Sequence, residues 1–248
     1  MKDEILKLAN LIKESKRIVF FGGADVSTES GIKDFRSQDG LYNLKSKYGA
    51  PYEVMLSHSY YENNTDTFYK FYKEFMITDA KPNYAHLLLA KLEKCGKEVT
   101  IITQNIDGLH QLAGSKNVIE LHGSIQRNYC EGCAKFYNLD YIKNSNGIPK
   151  CESCGNIIKP DVVLYEEPLE ERVISKAMIK MMEADLLIVA GTSLSVYPAA
   201  NFINYFYGDN IIAINKEKLN INKKVKLEIT SPIGETFKLL DKILFDND

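Results

Sequence analysis

The sequence predicts an α/β protein, a parallel sheet covered by helices on both faces and interrupted by a cysteine-bearing insertion. Three observations carry this reading. Short apolar runs recur at Ile18-Val19-Phe20-Phe21, Val99-Thr100-Ile101-Ile102-Thr103, Leu186-Leu187-Ile188-Val189-Ala190 and Ile211-Ile212-Ala213-Ile214-Asn215. Continuous apolar runs suit strands buried on both faces, the condition of a parallel sheet. Apolar residues at helical spacing lie between them. Two tight cysteine pairs, Cys130-x2-Cys133 and Cys151-x2-Cys154, mark the interruption.

In chain order, Ile5, Leu8, Ala9 and Ile12 predict a helix over 3–15, followed by the first strand and the turn Gly22-Gly23. Residues 41–79, rich in Tyr and Phe, predict short helices around a loop, with the aromatic rings in the core. Ala85, Leu88, Leu89 and Leu92 predict a helix that Gly96 ends. Cys95 beside it reads as a partly buried, inert thiol. The second strand follows, and a third at Val118-Ile119-Glu120-Leu121 ends at His122-Gly123. Past the insertion, Val173, Ile174, Ala177, Met178 and Met181 predict a helix, and the pair Met181-Met182 reads as core. Ile233, Phe237, Leu240 and Leu244 line a closing helix.

The chain has 248 residues, 45% of them hydrophobic, and a formal net charge of -2. That excludes nucleic-acid binding driven by bulk charge. No apolar stretch approaches the roughly 18 residues of a membrane span. The acidic start Met1-Lys2-Asp3-Glu4 is unlike a secretory signal. A cytoplasmic monomer is expected, with no membrane or nucleic-acid partner.

Ligands of open parallel sheets sit beyond the carboxyl ends of the strands. Each predicted strand here ends in small or polar residues: Gly22-Gly23-Ala24-Asp25-Val26-Ser27-Thr28, Gln104-Asn105-Ile106-Asp107, His122-Gly123, Gly191-Thr192-Ser193 and Asn215-Lys216. Such an edge suits a large polar ligand, a dinucleotide above all, although the glycine turn lacks the GxGxxG pattern. The cysteine pairs, seventeen residues apart, fit a four-thiolate zinc ribbon. Four thiolates close the coordination sphere, so one structural zinc ion is expected, supplying much of the folding energy of a segment too short for its own core.

Read together, the motifs resemble the sirtuin family in its bacterial form. The segment from Gly23 to Arg36 (GADVSTESGIKDFR) is similar to the family's NAD-binding signature. Thr103-Gln104-Asn105-Ile106-Asp107-Gly108-Leu109-His110 is similar to a second signature, and Glu120-Leu121-His122-Gly123 to the catalytic histidine motif. The four cysteines, Lys159-Pro160-Asp161-Val162-Val163 and Gly191-Thr192-Ser193-Leu194 follow in the family's order, so the resemblance covers nearly the whole chain. It implies a Rossmann-type NAD-binding domain over 1–44, 76–125 and 158–248. A small domain, a helical insertion plus the zinc ribbon, would take 45–75 and 126–157.

The activity implied is protein lysine deacylation that consumes NAD as co-substrate and yields free lysine, nicotinamide and O-acyl-ADP-ribose. On that resemblance Ala24, Thr28, Phe35 and Arg36 would line the cofactor loop, Phe35 shielding the reactive ribose from water. Gln104 and Asn105 would face the nicotinamide ribose, and Ile106 and Asp107 would hold the nicotinamide amide. Thr192, Ser193 and Asn215 would hold the phosphate and adenosine side, with Ile233 near the adenine. Val162, Val163 and Tyr165 would border the acyl-lysine tunnel and pair with the peptide as an added strand. His122, with Asn105 and Asp107 as its catalytic companions, would be the general base, since imidazole titrates near pH ~6.5. His110 reads as structural; His58 and His86 carry no assignment.

Two positions depart from the family pattern: Asp25 stands where a glycine is usual, and Lys33 where a proline is. A carboxylate about 5 Å from a phosphate, at an effective dielectric of about 20, costs roughly 3 kcal/mol, about a hundredfold in affinity. Tyr42-Asn43-Leu44-Lys45 lacks the arginine that acid-selective sirtuins carry three residues after a tyrosine, so acetyl and other neutral acyl groups are expected. Two rival readings remain open. One is mono-ADP-ribosyl transfer or NAD hydrolysis in the same pocket. The other is a non-catalytic zinc-ribbon binding module with a basic face built from Lys135, Lys143, Lys150 and Lys159, which Glu131, Asp140 and Glu152 offset.

Overall fold

The computed structural model describes residues 2–33, 48–195 and 197–246. The expectations placed on Phe35, Arg36 and the segment Tyr42–Lys45 lie outside the described residues.

The chain opens with α1 (Lys2–Glu14) and β1 (Arg17–Gly22), then a 3-10 helix at Ala24–Ser30. Three short helices follow: α2 (Tyr52–Met55), α3 (His58–Asn63) and α4 (Thr65–Phe75). Next come α5 (Tyr84–Lys94), β2 (Glu98–Thr103), the single turn α6 (Leu109–Leu112) and β3 (Val118–Glu120). The cysteine region contributes β4 (Gly123–Cys130), β5 (Phe136–Asn138), α7 (Leu139–Asn144) and β6 (Ile158–Val162). The chain closes with α8 (Glu171–Glu183), β7 (Leu186–Ala190), a 3-10 helix at Ala199–Tyr205, β8 (Ile211–Asn215), β9 (Leu227–Thr230) and α9 (Ile233–Phe245).

Six strands form one sheet in the order β3-β2-β1-β7-β8-β9, with every neighbouring pair parallel. This is the Rossmann-type order, with the reversal of winding between β1 and β7. All five residues of β7 and of β8 are buried, because helices cover both faces. On one face α1, α5 and α9 pack through Leu8, Leu88 and Phe237. On the other, α8 and the second 3-10 helix pack through Met181, Phe202 and Ile203.

A second, antiparallel sheet has the order β5-β4-β6. Strand β6 pairs here, antiparallel to β4, although the domain division implied by the resemblance counts residues 158–162 with the NAD-binding domain. This sheet does not stand alone. Its Cys130, Cys151, Ile125 and Ile158 share a core with Phe68, Tyr69, Phe71 and Tyr72 of α4. The rings of Phe68 and Tyr72 stack at 5.6 Å, and those of Tyr61 and Phe68 meet edge to face at 5.0 Å. The aromatic stretch is core, as its composition suggested, and the ribbon borrows from it the apolar contacts its own length cannot supply.

Two smaller expectations need correction. Met182 is 42% exposed while Met181 is fully buried, because adjacent residues on a helix face different ways. Cys95 is exposed, lying past Leu92, the last buried residue of α5, at the helix's C-cap.

Candidate functional site

The carboxyl ends of β1 and β7, either side of the winding reversal, meet closely. The amide of Gly23 donates to the Ala190 carbonyl at 3.3 Å and that of Asp25 to the Gly191 carbonyl at 3.0 Å. A Cβ on Gly23 would lie 2.8 Å from the Gly191 carbonyl oxygen. Gly191 itself has φ +56°, and a Cβ there would lie 2.6 Å from the Val26 amide nitrogen. Only glycines permit this approach, which leaves a cradle lined by backbone. Asp25 is not among the non-glycine residues with positive φ, so its backbone has no need of the glycine usual in the family.

Beside the cradle, Gln104 Nε2 and the Leu194 amide both donate to Thr192 Oγ1, at 3.2 and 3.1 Å. The Thr192 hydroxyl oxygen thus accepts twice and keeps its proton for donation. Ser193 is exposed, its hydroxyl 2.7 Å from that of Ser195. Asn215 is buried; its Nδ2 donates to the Glu217 carbonyl, and its Oδ1 accepts from no described residue. A buried amide oxygen without a donor among the described residues, at the carboxyl end of the strand beside β7, fits a ligand with hydroxyl groups such as a ribose. Ala24 and Thr28 stand on the 3-10 helix, half-buried, and Thr28 Oγ1 donates to the Asp25 carbonyl at 3.0 Å. Ile233 is 3% exposed and packs against Gly191 beneath the turn, in the core.

The end of β2 supplies the polar centre. Asp107 accepts from Ser27 Oγ at 2.7 Å and from the Leu109 amide at 2.8 Å. Burial leaves its pKa raised, with those two donors opposing the rise. Asn105 Nδ2 donates to Ser27 Oγ at 3.1 Å. Ile106 is held by its carbonyl, which accepts from the Ile125 amide at 3.0 Å. Ser27 thus links the first strand's loop to the second's, a role not legible in the sequence although the residue lies inside the first quoted signature.

His122 follows β3. Its Nδ1 lies 2.9 Å from the Gln104 carbonyl oxygen. A carbonyl only accepts, so Nδ1 carries the proton and Nε2 of the neutral ring carries the lone pair. Burial lowers the pKa, with the Gln104 bond opposing, so the ring is neutral at neutral pH. The carbonyl of His122 accepts from the Val163 amide at 3.0 Å, tying the imidazole to the segment after β6.

In that segment Val162 is buried in β6, Val163 is half-buried and Tyr165 is 42% exposed. The Tyr165 amide donates to the Leu56 carbonyl and its carbonyl accepts from the His58 amide, each at 3.0 Å. Its backbone is therefore already bridged to α2 and α3, and its ring meets Tyr52 at 6.4 Å. Glu166 sits at φ +77°, a costly conformation for a residue with a Cβ, and its carboxylate holds the Ser59 amide at 2.9 Å. Glu167 accepts from His58, Lys159 and the Leu164 amide.

The four cysteine sulfurs lie within 4.8 Å of one another, the one such cluster of metal-ligating side chains among the described residues. Tetrahedral thiolates about 2.3 Å from zinc are about 3.8 Å apart, so this donor set fits the ion. The Tyr137 hydroxyl donates to Cys151 Sγ at 3.1 Å and holds that thiol below its ordinary pKa. Of the four lysines the rival module would use, Lys135, Lys143 and Lys159 pair with Glu152, Asp79 and Glu167 at 3.6, 2.6 and 3.1 Å.

Residues 23–198 match the Sir2 family. The chain belongs to the Sir2, or sirtuin, family. Two similar Sir2 relatives carry the name NAD-dependent protein deacetylase. One, from Clostridium acetobutylicum, is 56% identical over 95% of this chain and 97% of its own length; the other, from Clostridium tetani, is 58% identical over 92% and 93%. A solved structure of Sir2 with a p53 peptide and NAD+ superposes with a TM-score of 0.82 at 36% identity, covering 96% of this chain and 97% of that one. A Sir2Tm structure bound to a propionylated peptide gives 0.83 at 35% identity, over 96% and 98%.

Proposed function

We propose that this sirtuin is an NAD-dependent protein lysine deacylase acting on acetyl and other neutral acyl groups, with His122 as general base. It consumes NAD and releases nicotinamide and O-acyl-ADP-ribose. The observation that carries the proposal is the fixed tautomer of His122, whose unprotonated Nε2 sits at the strand-end edge where a glycine cradle and an undonated Asn215 oxygen suit a dinucleotide. The names and ligands of the similar proteins support the same reading.

When bound, NAD supplies an electrophilic ribose carbon and nicotinamide as its leaving group. Ala24, Thr28, Thr192, Ser193 and Asn215 would hold the phosphate and adenosine side, and Ile233 would support it from below. Gln104 and Asn105 would face the reacting ribose, and Ile106 and Asp107 would bind the carboxamide. His122 Nε2 would accept a proton from a ribose hydroxyl, and the Gln104 carbonyl would stabilise the imidazolium through Nδ1–H. Val162, Val163 and Tyr165 would border the acyl-lysine. Because Tyr165 and the Val163 amide already use their backbone groups within the chain, strand addition by the peptide would fall to the Val163 carbonyl, and Tyr165 would contribute its ring. A small unit of residues 45–75 and 126–157, extended by β6, would form the far wall with its zinc ion. No described helix is long and apolar enough to cross a membrane; a cytoplasmic setting, where thiols stay reduced, belongs to the same proposal.

Incubation with NAD and an acetyl-lysine peptide, followed by mass spectrometry, tests it. Equal yields of nicotinamide, deacetylated peptide and O-acetyl-ADP-ribose are expected. Nicotinamide released without deacetylation contradicts the proposal and points to ADP-ribosyl transfer or NAD hydrolysis.

A further inference from the structure

The buried histidine on α5, to which the sequence motifs give no role, stands at the start of a directed hydrogen-bond chain. His86 is 0% exposed. The Asn83 amide donates to its Nδ1 at 3.2 Å, half of a capping box that begins α5. An amide only donates, so Nδ1 holds the lone pair. Burial keeps the ring uncharged, lowering its pKa to about 4. The single ring proton is therefore on Nε2, which faces Ser27 Oγ at 3.5 Å, a long contact. Ser27 Oγ already accepts from Asn105 Nδ2 at 3.1 Å. With both acceptor positions of the oxygen turned to donors, the serine proton has one outlet, Asp107 Oδ2 at 2.7 Å.

We infer that His86 is a positioning residue for the nicotinamide side of the site, its Nε2–H orienting the Ser27 hydroxyl so that it donates to Asp107. The inference rests on the function proposed above only for what Asp107 binds. The polarity runs one way, from the helix cap through the ring to the carboxylate, because each end of the chain admits a single role. The Asn83 amide can only donate, and Asp107 Oδ2 accepts from Ser27 Oγ. His86 thus has two separable duties, one on each ring nitrogen: Nδ1 caps a helix and Nε2 sets a hydroxyl. A purely structural histidine would have only the first.

Two substitutions divide these duties. In His86→Asn the side-chain oxygen can take the place of Nδ1 and keep the cap, while the donor to Ser27 is gone. In His86→Gln the amide nitrogen can reach the place of Nε2 and keep the donor, while the cap is gone. His86→Asn is expected to hold its Tm and to weaken NAD binding, by calorimetry, about fivefold, the scale of one hydrogen bond. His86→Gln is expected to lose about 2–4 °C in Tm and to keep its NAD affinity within about twofold. Affinity that follows Tm in both variants, or that is unchanged in both, overturns the inference. Nitrogen-15 NMR of the unsubstituted protein reads the tautomer with no risk of misfolding. A protonated Nε2 on His86 is expected, and a protonated Nδ1 overturns the inference. The acetyl-peptide assay of the unsubstituted protein runs alongside: no deacetylation there would sink the proposed function and leave the tautomer result standing.

Discussion

The parallel sheet and the cysteine-bearing unit solve the same problem by different means. The sheet buries both its faces under helices, and its core needs nothing from outside the chain. Its carboxyl edge is thereby left free for polar residues, because strand ends are where a doubly covered sheet meets solvent. The three-stranded cysteine ribbon has no second layer of its own. Its three strands lean on α4 from a separate stretch of sequence, and two of its four thiols, Cys130 and Cys151, are members of that shared core. Metal and apolar packing are therefore one structure there, whereas in the sheet the chemistry and the core are separate. Damage at the sheet's carboxyl edge should abolish the reaction and spare the fold; damage to the second region should cost both reaction and fold.

The largest expected effect lies at the sheet's edge. His122→Ala should lower deacylation by about 10²–10⁴-fold, the range for a lost general base, with circular dichroism and Tm unchanged. A variant that retained full activity would remove the base assignment. Next, Cys151→Ser, or zinc chelation, should strip hydrogen-exchange protection from α4 as well as from β4 and β6, while β1, β2 and β7 stay protected. Protection lost from the ribbon alone would show that the two segments do not share a core.

Acid should strike the sheet side. His86 and His110 are buried and neutral, burial lowering the first pKa to about 4 and the second well below its ordinary value. Neither ring nitrogen of His110 has a described partner, and it packs against Phe20 and His86. Between pH 6.5 and about 4 the unfolded chain binds protons on these rings that the folded chain refuses, so stability rises with pH across that window. His86 alone contributes on the order of 3 kcal/mol, complete above about pH 6.5 and lost on acidification. A Tm that is flat across that range would contradict the neutral assignment. The smallest effect is at Asp25. Its side chain is partly exposed, so solvent screening reduces the repulsion of a phosphate, and Asp25→Gly should tighten NAD binding only a few-fold. Affinity that is unchanged or weaker would remove that repulsion from the account.

What could be read in advance follows from the same contrast. β1, β2, β7 and β8 announced themselves because burial on both faces demands unbroken apolar runs. β9 did not: it is an edge strand in which Ile229 alone is buried and Glu228 interrupts the pattern. β4 was hidden for another reason, since its buried positions include the polar Ser124 and Asn128. His122 and the four cysteines were legible as motifs, each local in sequence. The links Ser27–Asp107 and Ser27–His86 were not, because they join residues 80 and 59 positions apart. One local sign of the second existed: Asn83 and His86 stand at the N-cap and third position of a helix, the spacing of a capping box.

The central claim is that the edge between β1 and β7 holds the dinucleotide with its reactive ribose against His122. A crystal structure with NAD and an acetyl-lysine peptide tests it most directly. The account expects His122 Nε2 within hydrogen-bond reach of a ribose hydroxyl, Nδ1 still on the Gln104 carbonyl and Asn215 Oδ1 newly satisfied. A dinucleotide bound elsewhere, or an imidazole turned away from the sugar, would contradict it.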